Sequence, residues 1–458
     1  MQEFFNDYVQ SLETYIMFRI KETVARITPE LIEKGRTPIS LSMGAPTANP
    51  PQVLIDTLKN TLDEKGIHLY STPKGEVYFR EAIAKRMKNR FNVDLDPAAE
   101  IFSLIGSKEG LANFIRVLLN PTSNIEDKEI IFVPDPGYAS YKEMVKVSGG
   151  YAYPIPLPPE NNFMPDMEKI WAEFFKKGYN PKKVKAMLIN YPNNPLGATA
   201  TKEYLQSIVD FCNKHHLLLI SDAAYTDVYF KPELKPISIL ELNGAKDIAV
   251  EFFSFSKPYA ITGWRLGWIC GNAEAVKIFG KLKSTLDSGL FKALQKACAQ
   301  ILNSKEGDDY IEEANKRFKH NQDVFVKGLK EELGWGEFNI PDATFYLWLP
   351  IPPRYESSIE FTEELMHKSG VIAVPGDAFG EYGKGFFRVS LVCSEEELKE
   401  AIHRMKEDGF SWKWINWQWK IVLNNFPLST FNFQLHWHSN NNILIILKLS
   451  LQNDTIII

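Results

Sequence analysis

Ser254-Phe255-Ser256-Lys257-Pro258-Tyr259-Ala260-Ile261-Thr262-Gly263-Trp264-Arg265-Leu266-Gly267-Trp268 comes directly after an apolar, strand-like run, Ile248-Ala249-Val250-Glu251-Phe252-Phe253. Lys257 is therefore offered at a strand end, in a small, hydroxyl-rich turn between two apolar segments. A single lysine in a loop is ordinarily a solvated surface group. Two neighbours argue for more, because the Ser254 hydroxyl and the forked Arg265 guanidinium match the oxygens of a bound phosphate. A partly desolvated lysine beside such an anion is a candidate Schiff-base amine. Whether a cofactor belongs there depends on what the rest of the chain brings to the same place.

The chain has 458 residues, enough for two or three domains and a large core. With 45% hydrophobic and 24% charged residues it has the composition of a globular protein. A net charge of −5 gives no pull toward nucleic acid or an anionic membrane. The 8 histidines and 4 cysteines (Cys212, Cys270, Cys298, Cys393) are scattered without metal-ligand spacing, so no metal site is expected. Cysteines lying singly in apolar stretches suit a reducing cytosol. The start, Met1-Gln2-Glu3-Phe4-Phe5, lacks the basic region and apolar run of a signal peptide, and a cytoplasmic protein is expected.

From about residue 52, helix-period and strand-like segments alternate, which implies an α/β protein with a largely parallel sheet covered by helices. Ile101–Ile105, Ile130–Val133, Lys185–Ile189 and Leu217–Ser221 read as strands, with helices near 52–65, 76–90 and 202–214. The chemistry sits in the segments just after the strands. Gly106-Ser107-Lys108-Glu109-Gly110 turns a strand into a helix and suits an anion, although Ser107 is equally an N-cap. Pro134-Asp135-Pro136-Gly137-Tyr138 holds a tyrosine that could stack on a flat ring or pack on the sheet. Asp222 comes directly after a fully apolar strand, where open α/β sheets bind their ligands. A buried carboxylate is costly unless paired, so it calls for a cationic partner, unless it only caps the next turn. Gly44, in Ser42-Met43-Gly44-Ala45-Pro46, marks a loop where backbone can approach a ligand, or a plain turn.

Residues 1–50 read as an N-terminal arm, helical over 8–35, and 51–300 as a large domain. Residues 301–410 read as a smaller α+β domain near which the arm packs. Gly263–Cys270 reads as a strand, followed by helices near 273–286, 289–303 and 307–332. Strands are expected near 337–340, 344–349, 371–374 and 385–391, with a helix near 358–368 and a last one opened by a capping-box pattern at Ser394. Residues 411–458, rich in Trp and Asn and nearly free of charge, break the pattern. Their apolar run Ile443–Leu447 is too short to cross a bilayer. They are expected to lie outside the fold, with an interaction or membrane-surface tail as the alternative.

In this joint order the Gly44 loop, Tyr70, Gly-Ser-Lys-Glu-Gly, Pro-x-Gly-Tyr, Asn193-Asn194-Pro195-Leu196-Gly197, Asp-x-x-Tyr ending at Tyr225, Ser-x-Ser-Lys with Arg265 beyond, and Phe387-Arg388-Val389 resemble the class I/II aminotransferases of the aspartate aminotransferase fold. The resemblance covers about residues 15 to 410. It implies pyridoxal 5′-phosphate (PLP) as cofactor and the type I PLP-transferase fold, a mostly parallel seven-stranded sheet with a smaller C-terminal α+β domain. It implies that Lys257 binds the cofactor aldehyde and then acts as base and acid. Asp222 would pair with the pyridine nitrogen, Asn194 and Tyr225 with the ring 3-hydroxyl, and Tyr138 would stack on the ring. Ser107, Lys108, Ser254 and Arg265 would hold the phosphate. Tyr70 would reach the phosphate of a neighbouring subunit, implying a homodimer with shared active sites. Arg388 would clamp the substrate α-carboxylate, with Gly44 and Asn194 nearby. Leu196 stands where many relatives have Thr, away from these roles.

The wording of Gly-Ser-Lys-Glu-Gly, Asp135-Pro136-Gly137-Tyr138 and Asp287-Ser288-Gly289-Leu290-Phe291 is most similar to the branch containing LL-diaminopimelate aminotransferases. It implies LL-diaminopimelate or a similar donor with 2-oxoglutarate as acceptor, aspartate or alanine being the alternative donors. Lys292 and Lys108 are candidates for a distal carboxylate, each also readable as a surface or phosphate-side residue. A PLP carbon–sulfur β-lyase on the same fold, or a PLP-sensing module fused to a DNA-binding domain, are the other classes. The second is disfavoured because the Gly44 loop begins too near the N-terminus to leave room for such a domain.

Overall fold

The computed structural model describes residues 4–14, 16–122 and 124–412, together with the backbone of strands between 431 and 457. The strands are, in chain order, β1 (Ile39–Ser40), β2 (Ile101–Leu104), β3 (Ile130–Asp135), β4 (Tyr151–Pro156), β5 (Val184–Ile189), β6 (Leu218–Asp222), β7 (Ala249–Ser254), β8 (Gly267–Gly271), β9 (Tyr346–Pro350), β10 (Val371–Ile372), β11 (Val374–Pro375), β12 (Phe386–Ser390), β13 (Phe431–Trp437), β14 (Ile443–Leu451) and β15 (Asp454–Ile457).

The main sheet has seven strands in the order β2-β8-β7-β6-β5-β3-β4. All neighbours run parallel except around β8, which is antiparallel to both β2 and β7. Every residue of β3, β7 and β8 is buried, as a sheet covered on both faces requires. The two-residue period of a strand divides β7 between the two faces. Val250 and Phe252 join Phe114 and Phe279 on one side, while Ala249 and Phe253 join Ile83, Met87 and Phe91 on the other.

A second sheet, β11-β12-β9, is antiparallel with β12 in the middle. Leu347, Leu349, Phe387 and Val389 pack there with Phe361, Leu365, Leu398 and Ile402 of helices Ser358–Ser369 and Glu395–Glu407. β1 pairs in parallel with β10. Helix Ile16–Glu33 contributes Ile20, Ile27 and Leu31 to the large core.

Several elements differ from the sequence expectation. No strand forms at 337–340, although apolar and polar residues alternate there. Phe338 packs only partly on the second core, Ile340 is 40% exposed, and Pro341 comes next, so no ladder partner is available. The strand expected from Gly263 starts at Gly267, because Thr262–Trp264 makes a 3-10 turn and Arg265 is left-handed, with φ 55° and ψ 61°. The fold also runs past residue 410. The Trp412 amide donates to the Leu333 carbonyl at 2.9 Å and its ring lies 5.4 Å from that of Trp335. Strands β13, β14 and β15 form a three-stranded antiparallel sheet in that order. The rest of the expectation for 411–458 lies outside the described residues. Among the described residues, no helix is long and apolar enough to cross a membrane.

Candidate active site

The parallel strands deliver their carboxyl ends to one edge of the main sheet, and the loops leaving them line a cleft of about 270 Å³. Ser107 lies just after β2, Tyr138 after β3, Asn190 and Asn194 after β5, and Lys257 after β7, while Asp222 and Ser254 are the last residues of β6 and β7. Antiparallel β8 brings its start to the same edge, and so Arg265 arrives from the opposite chain direction. The second sheet supplies Tyr346 and Arg388, and the loop after β1 supplies Ser42 and Gly44. A larger groove, about 510 Å³, lies by residues 191–205 and 233–237, but its Lys202, Glu233 and Lys235 are exposed. Chemistry rather than size picks out the first cleft.

Lys257 Nζ donates to the Gly44 carbonyl at 2.5 Å and lies 5.8 Å from the centroid of the Tyr225 ring. Burial, with Arg388 and Arg265 adding repulsion, pushes the Lys257 amine down to about 8, against the pull of Asp222. The lack of a side chain at Gly44 leaves room for Tyr346: a Cβ there would sit 2.2 Å from the Tyr346 hydroxyl. Asp222 is 6% exposed, and burial pushes its carboxyl up to about 6. Opposing that, Tyr141 Oη donates to one oxygen at 2.6 Å and the Ala224 N–H to the other at 3.3 Å. Asn190 organises the neighbouring loop, donating to the Asp222 carbonyl at 2.8 Å and accepting from the Asn194 N–H at 2.9 Å.

A candidate anion cradle lies at the other end. Gly106 is the N-cap of helix Ser107–Leu118, and a Cβ on it would come 2.2 Å from an Arg265 guanidinium nitrogen. Ser107 is thus the first helical residue, not the cap. The left-handed Arg265 backbone, costly for a non-glycine residue, turns its side chain into this position. Arg265 also donates to the Thr262 carbonyl at 2.7 Å and approaches the Ser256 hydroxyl at 3.5 Å. Ser254 Oγ accepts from the Ser256 N–H at 3.1 Å. Lys108 is exposed, with its ammonium 5.6 Å from the centroid of the Tyr138 ring.

Arg388 is 5% exposed and lies between two aromatic rings, 4.4 Å from the Tyr346 centroid and 4.9 Å from that of Phe379. Its terminal nitrogens donate to Asn194 Oδ1 at 2.9 Å and to the Ser42 carbonyl at 2.6 Å. Both acceptors are neutral, and Nε is buried without a hydrogen-bond partner. A buried cation among neutral oxygens, with donor capacity to spare, is built to receive an anion.

Of the residues singled out from sequence, Gly44, Ser107, Lys108, Tyr138, Asn194, Asp222, Tyr225, Ser254, Lys257, Arg265 and Arg388 all line this cleft. Tyr70 does not, and is 87% exposed. Sequence reasoning missed Tyr141, which holds Asp222, and Tyr346, whose hydroxyl lies 2.8 Å from that of Tyr225. It also missed Asn190 and Phe379. Tyr141 lies only three residues beyond Tyr138, at the start of helix Ser140–Val147, and that proximity was the available signal.

The model of the family "Aminotransferase class I and II" matches residues 36–405. The LL-diaminopimelate aminotransferase of Halothermothrix orenii is 36% identical over 407 residues, covering 89% of this chain and 99% of that protein. That of Aquifex aeolicus is 39% identical over 402 residues, covering 88% and 98%. Among solved structures, substrate-bound BacF from Bacillus subtilis superposes with a TM-score of 0.82 at 29% identity, over 89% of this chain and 98% of its own. The aspartate aminotransferase of Thermus thermophilus with maleate superposes with a TM-score of 0.78 at 26% identity, over 88% and 99%. Motif order, sheet topology and these relatives agree: the chain belongs to the class I and II aminotransferase family.

Proposed function

We propose that this aminotransferase binds pyridoxal 5′-phosphate in the cleft and moves the amino group of LL-diaminopimelate to 2-oxoglutarate by a ping-pong mechanism. The observation that carries the cofactor is the lysine, lowered to about 8, set between a buried acid and the Gly106–Arg265 cradle. The donor rests on the names of the relatives above. The residues present fit the cofactor. Ser107, Ser254 and Arg265, with Lys108 at the rim, would hold the phosphate, and Tyr138 would stack on the ring. Asn194 and Tyr225 would hydrogen-bond its hydroxyl.

Bound pyridoxal phosphate supplies the electron sink that a carbanion at the substrate Cα requires. Asp222 is ionised at neutral pH and would hold a proton on the ring nitrogen. Lys257 would bind the aldehyde carbon and, once displaced by the amino substrate, take the proton from Cα and return it. An amine titrating near 8 does both close to neutrality. Arg388 would clamp the α-carboxylate and orient the Cα–H bond, with the Gly44 backbone alongside.

The same reading makes the enzyme a homodimer. Tyr70 (87% exposed), Leu69 (70%) and Phe291 (42%) form an exposed apolar surface that a second copy would cover, with Tyr70 reaching the neighbour's phosphate. Four free cysteines, three of them buried, suit a cytoplasmic protein.

The test is a half-reaction followed by absorbance. LL-diaminopimelate should convert the lysine-bound cofactor to its amine form, and 2-oxoglutarate should restore it. Turnover of alanine or aspartate without LL-diaminopimelate would overturn the donor. Release of pyruvate, ammonia and a thiol from an amino acid with sulfur on Cβ, with no keto acid present, would point to a β-lyase instead. Lys257→Ala should abolish the cycle.

A further inference from the structure

We infer that Asp135 is a positioning residue for substrate carboxylate recognition: it clasps the loop between β11 and β12 and thereby seats Phe379 against Arg388. This rests on the reading of Arg388 as the carboxylate-binding group.

Asp135 is the last residue of β3, in the main sheet, and is 8% exposed. Both carboxylate oxygens are used. One accepts from the Glu381 N–H at 3.0 Å and the other from the Tyr382 N–H at 2.9 Å. Two residues on, the Gly137 N–H donates to the Phe379 carbonyl at 2.9 Å. Three hydrogen bonds from one strand end therefore fix residues 379–382. Gly380 makes the approach possible. It adopts φ +133°, and a Cβ on it would lie 2.1 Å from an Asp135 oxygen.

Burial pushes the Asp135 carboxyl up, while the two N–H groups and the ammonium of Lys142 oppose that and the Glu381 carboxylate adds to it. Glu381 itself pairs with Lys384 at 2.5 Å. The clasp is thus made of fixed backbone dipoles, with the mobile charges outside it.

What the loop holds in place is an aromatic face. The Phe379 ring packs on Arg388 and is backed by Trp348, 5.7 Å away and nearly perpendicular. With the loop seated, the guanidinium lies between two rings and away from water. An ion pair formed there is stronger than the same pair in a wetter site. With the clasp broken, the loop is held only by the Gly137 bond to Phe379, the Phe379 ring loosens, water reaches Arg388, and carboxylate binding weakens, while Lys257, Asp222 and the anion cradle keep their contacts.

The experiment uses the holoenzyme with Asp135→Asn, which keeps the shape and loses one acceptor. KM for both amino donor and keto acceptor should rise about tenfold, since both carry the α-carboxylate. The kcat and the affinity for pyridoxal phosphate should change less than about threefold. Hydrogen exchange at the Glu381 and Tyr382 amides should accelerate. Phe379→Leu should raise KM similarly while that exchange stays slow, which separates the clasp from what it positions. Accelerated exchange with unchanged KM would leave Asp135 a purely structural residue and overturn the proposal, as would unchanged exchange. Arg388→Lys separates the two readings. If it leaves KM unchanged, the assignment of Arg388 fails and this role with it. If it raises KM while Asp135→Asn does not, only the role of Asp135 fails.

Discussion

Replacing Tyr141 by phenylalanine deletes one oxygen and tests how the buried acid is controlled. Tyr141 Oη donates to Asp222 at 2.6 Å, and the carboxyl, pushed up by burial, titrates near 6 rather than at the ordinary 3.8. The folded protein without cofactor therefore holds this proton more tightly than the unfolded chain does. The resulting stability is fully present below 3.8 and is lost as pH rises through 6, about 3 kcal/mol in all. A hydrogen bond to a charged acceptor contributes roughly 1.5–3 kcal/mol. Its loss should move the Asp222 titration up by about one to two pH units and extend the stability loss to about pH 7–8. Chemical unfolding of the cofactor-free protein at a series of pH values measures this directly, with Asp222→Asn and the double variant as references. In Asp222→Asn the contribution should vanish, and adding Tyr141→Phe should then restore no slope. If Tyr141→Phe tracks the wild-type curve between pH 5 and 8, the hydrogen bond does not set the charge on Asp222 and the reasoning fails. In the holoenzyme the same variant should lower kcat at neutral pH and recover as pH rises.

Arg388→Lys should raise KM for both substrates about tenfold to a hundredfold, because an ammonium cannot reproduce a bidentate fork. An unchanged KM in steady-state kinetics would remove Arg388 from substrate binding. Glu251, fully buried and pushed up to about 7 by that burial, accepts from Ser221 at 3.0 Å and from the Ile239 N–H at 3.2 Å. Its protonated form stabilises the fold, so stability should fall by about 3 kcal/mol as pH climbs from 4.5 to 7, and Glu251→Gln should flatten that slope in the same unfolding assay. Ending the chain after Trp412 should leave activity and melting temperature intact. Ending it after Gly409 should lower the melting temperature by several degrees, because Phe410, fully buried, and the Trp412 ring on Trp335 are lost.

Candidate site residues at strand ends were legible because a charged group there interrupts an apolar run. Asp222 after Leu218-Leu219-Ile220 and Lys257 after Phe252-Phe253 stand out from their surroundings. Arg388 lies within β12 rather than at its end, and only the likeness of Phe387-Arg388-Val389 to a known motif pointed to it. Tyr141 carries only its nearness to Tyr138 as a local signal of its role, and Tyr346 carries none. Their partners Asp222 and Tyr225 are 81 and 121 residues away, so the contacts exist only once the sheets are assembled. Strand β4 escaped notice because Pro154 and Pro156 argue against a strand, yet as a sheet edge it tolerates missing donors. The strand expected at 337–340 shows the converse, alternation without a neighbour to pair with. The residues of the proposed anion cradle could be picked out in the sequence, but the left-handed turn that aims Arg265 at Gly106 could not.

β2 is an edge strand that pairs in the main sheet with β8, Leu104 lying opposite Gly267. During synthesis the ribosome must therefore extrude Gly267–Gly271 before the strand leading to Ser107 has its partner. More than a third of the chain emerges while that strand waits. Both halves of the anion cradle are delivered by this one late pairing, Ser107 from β2 and Arg265 from the start of β8. A ligand that bridges them binds only the closed sheet and shifts the balance toward it by mass action. If the proposed cofactor binds here, capture of its phosphate group would then report that the nascent enzyme has finished folding.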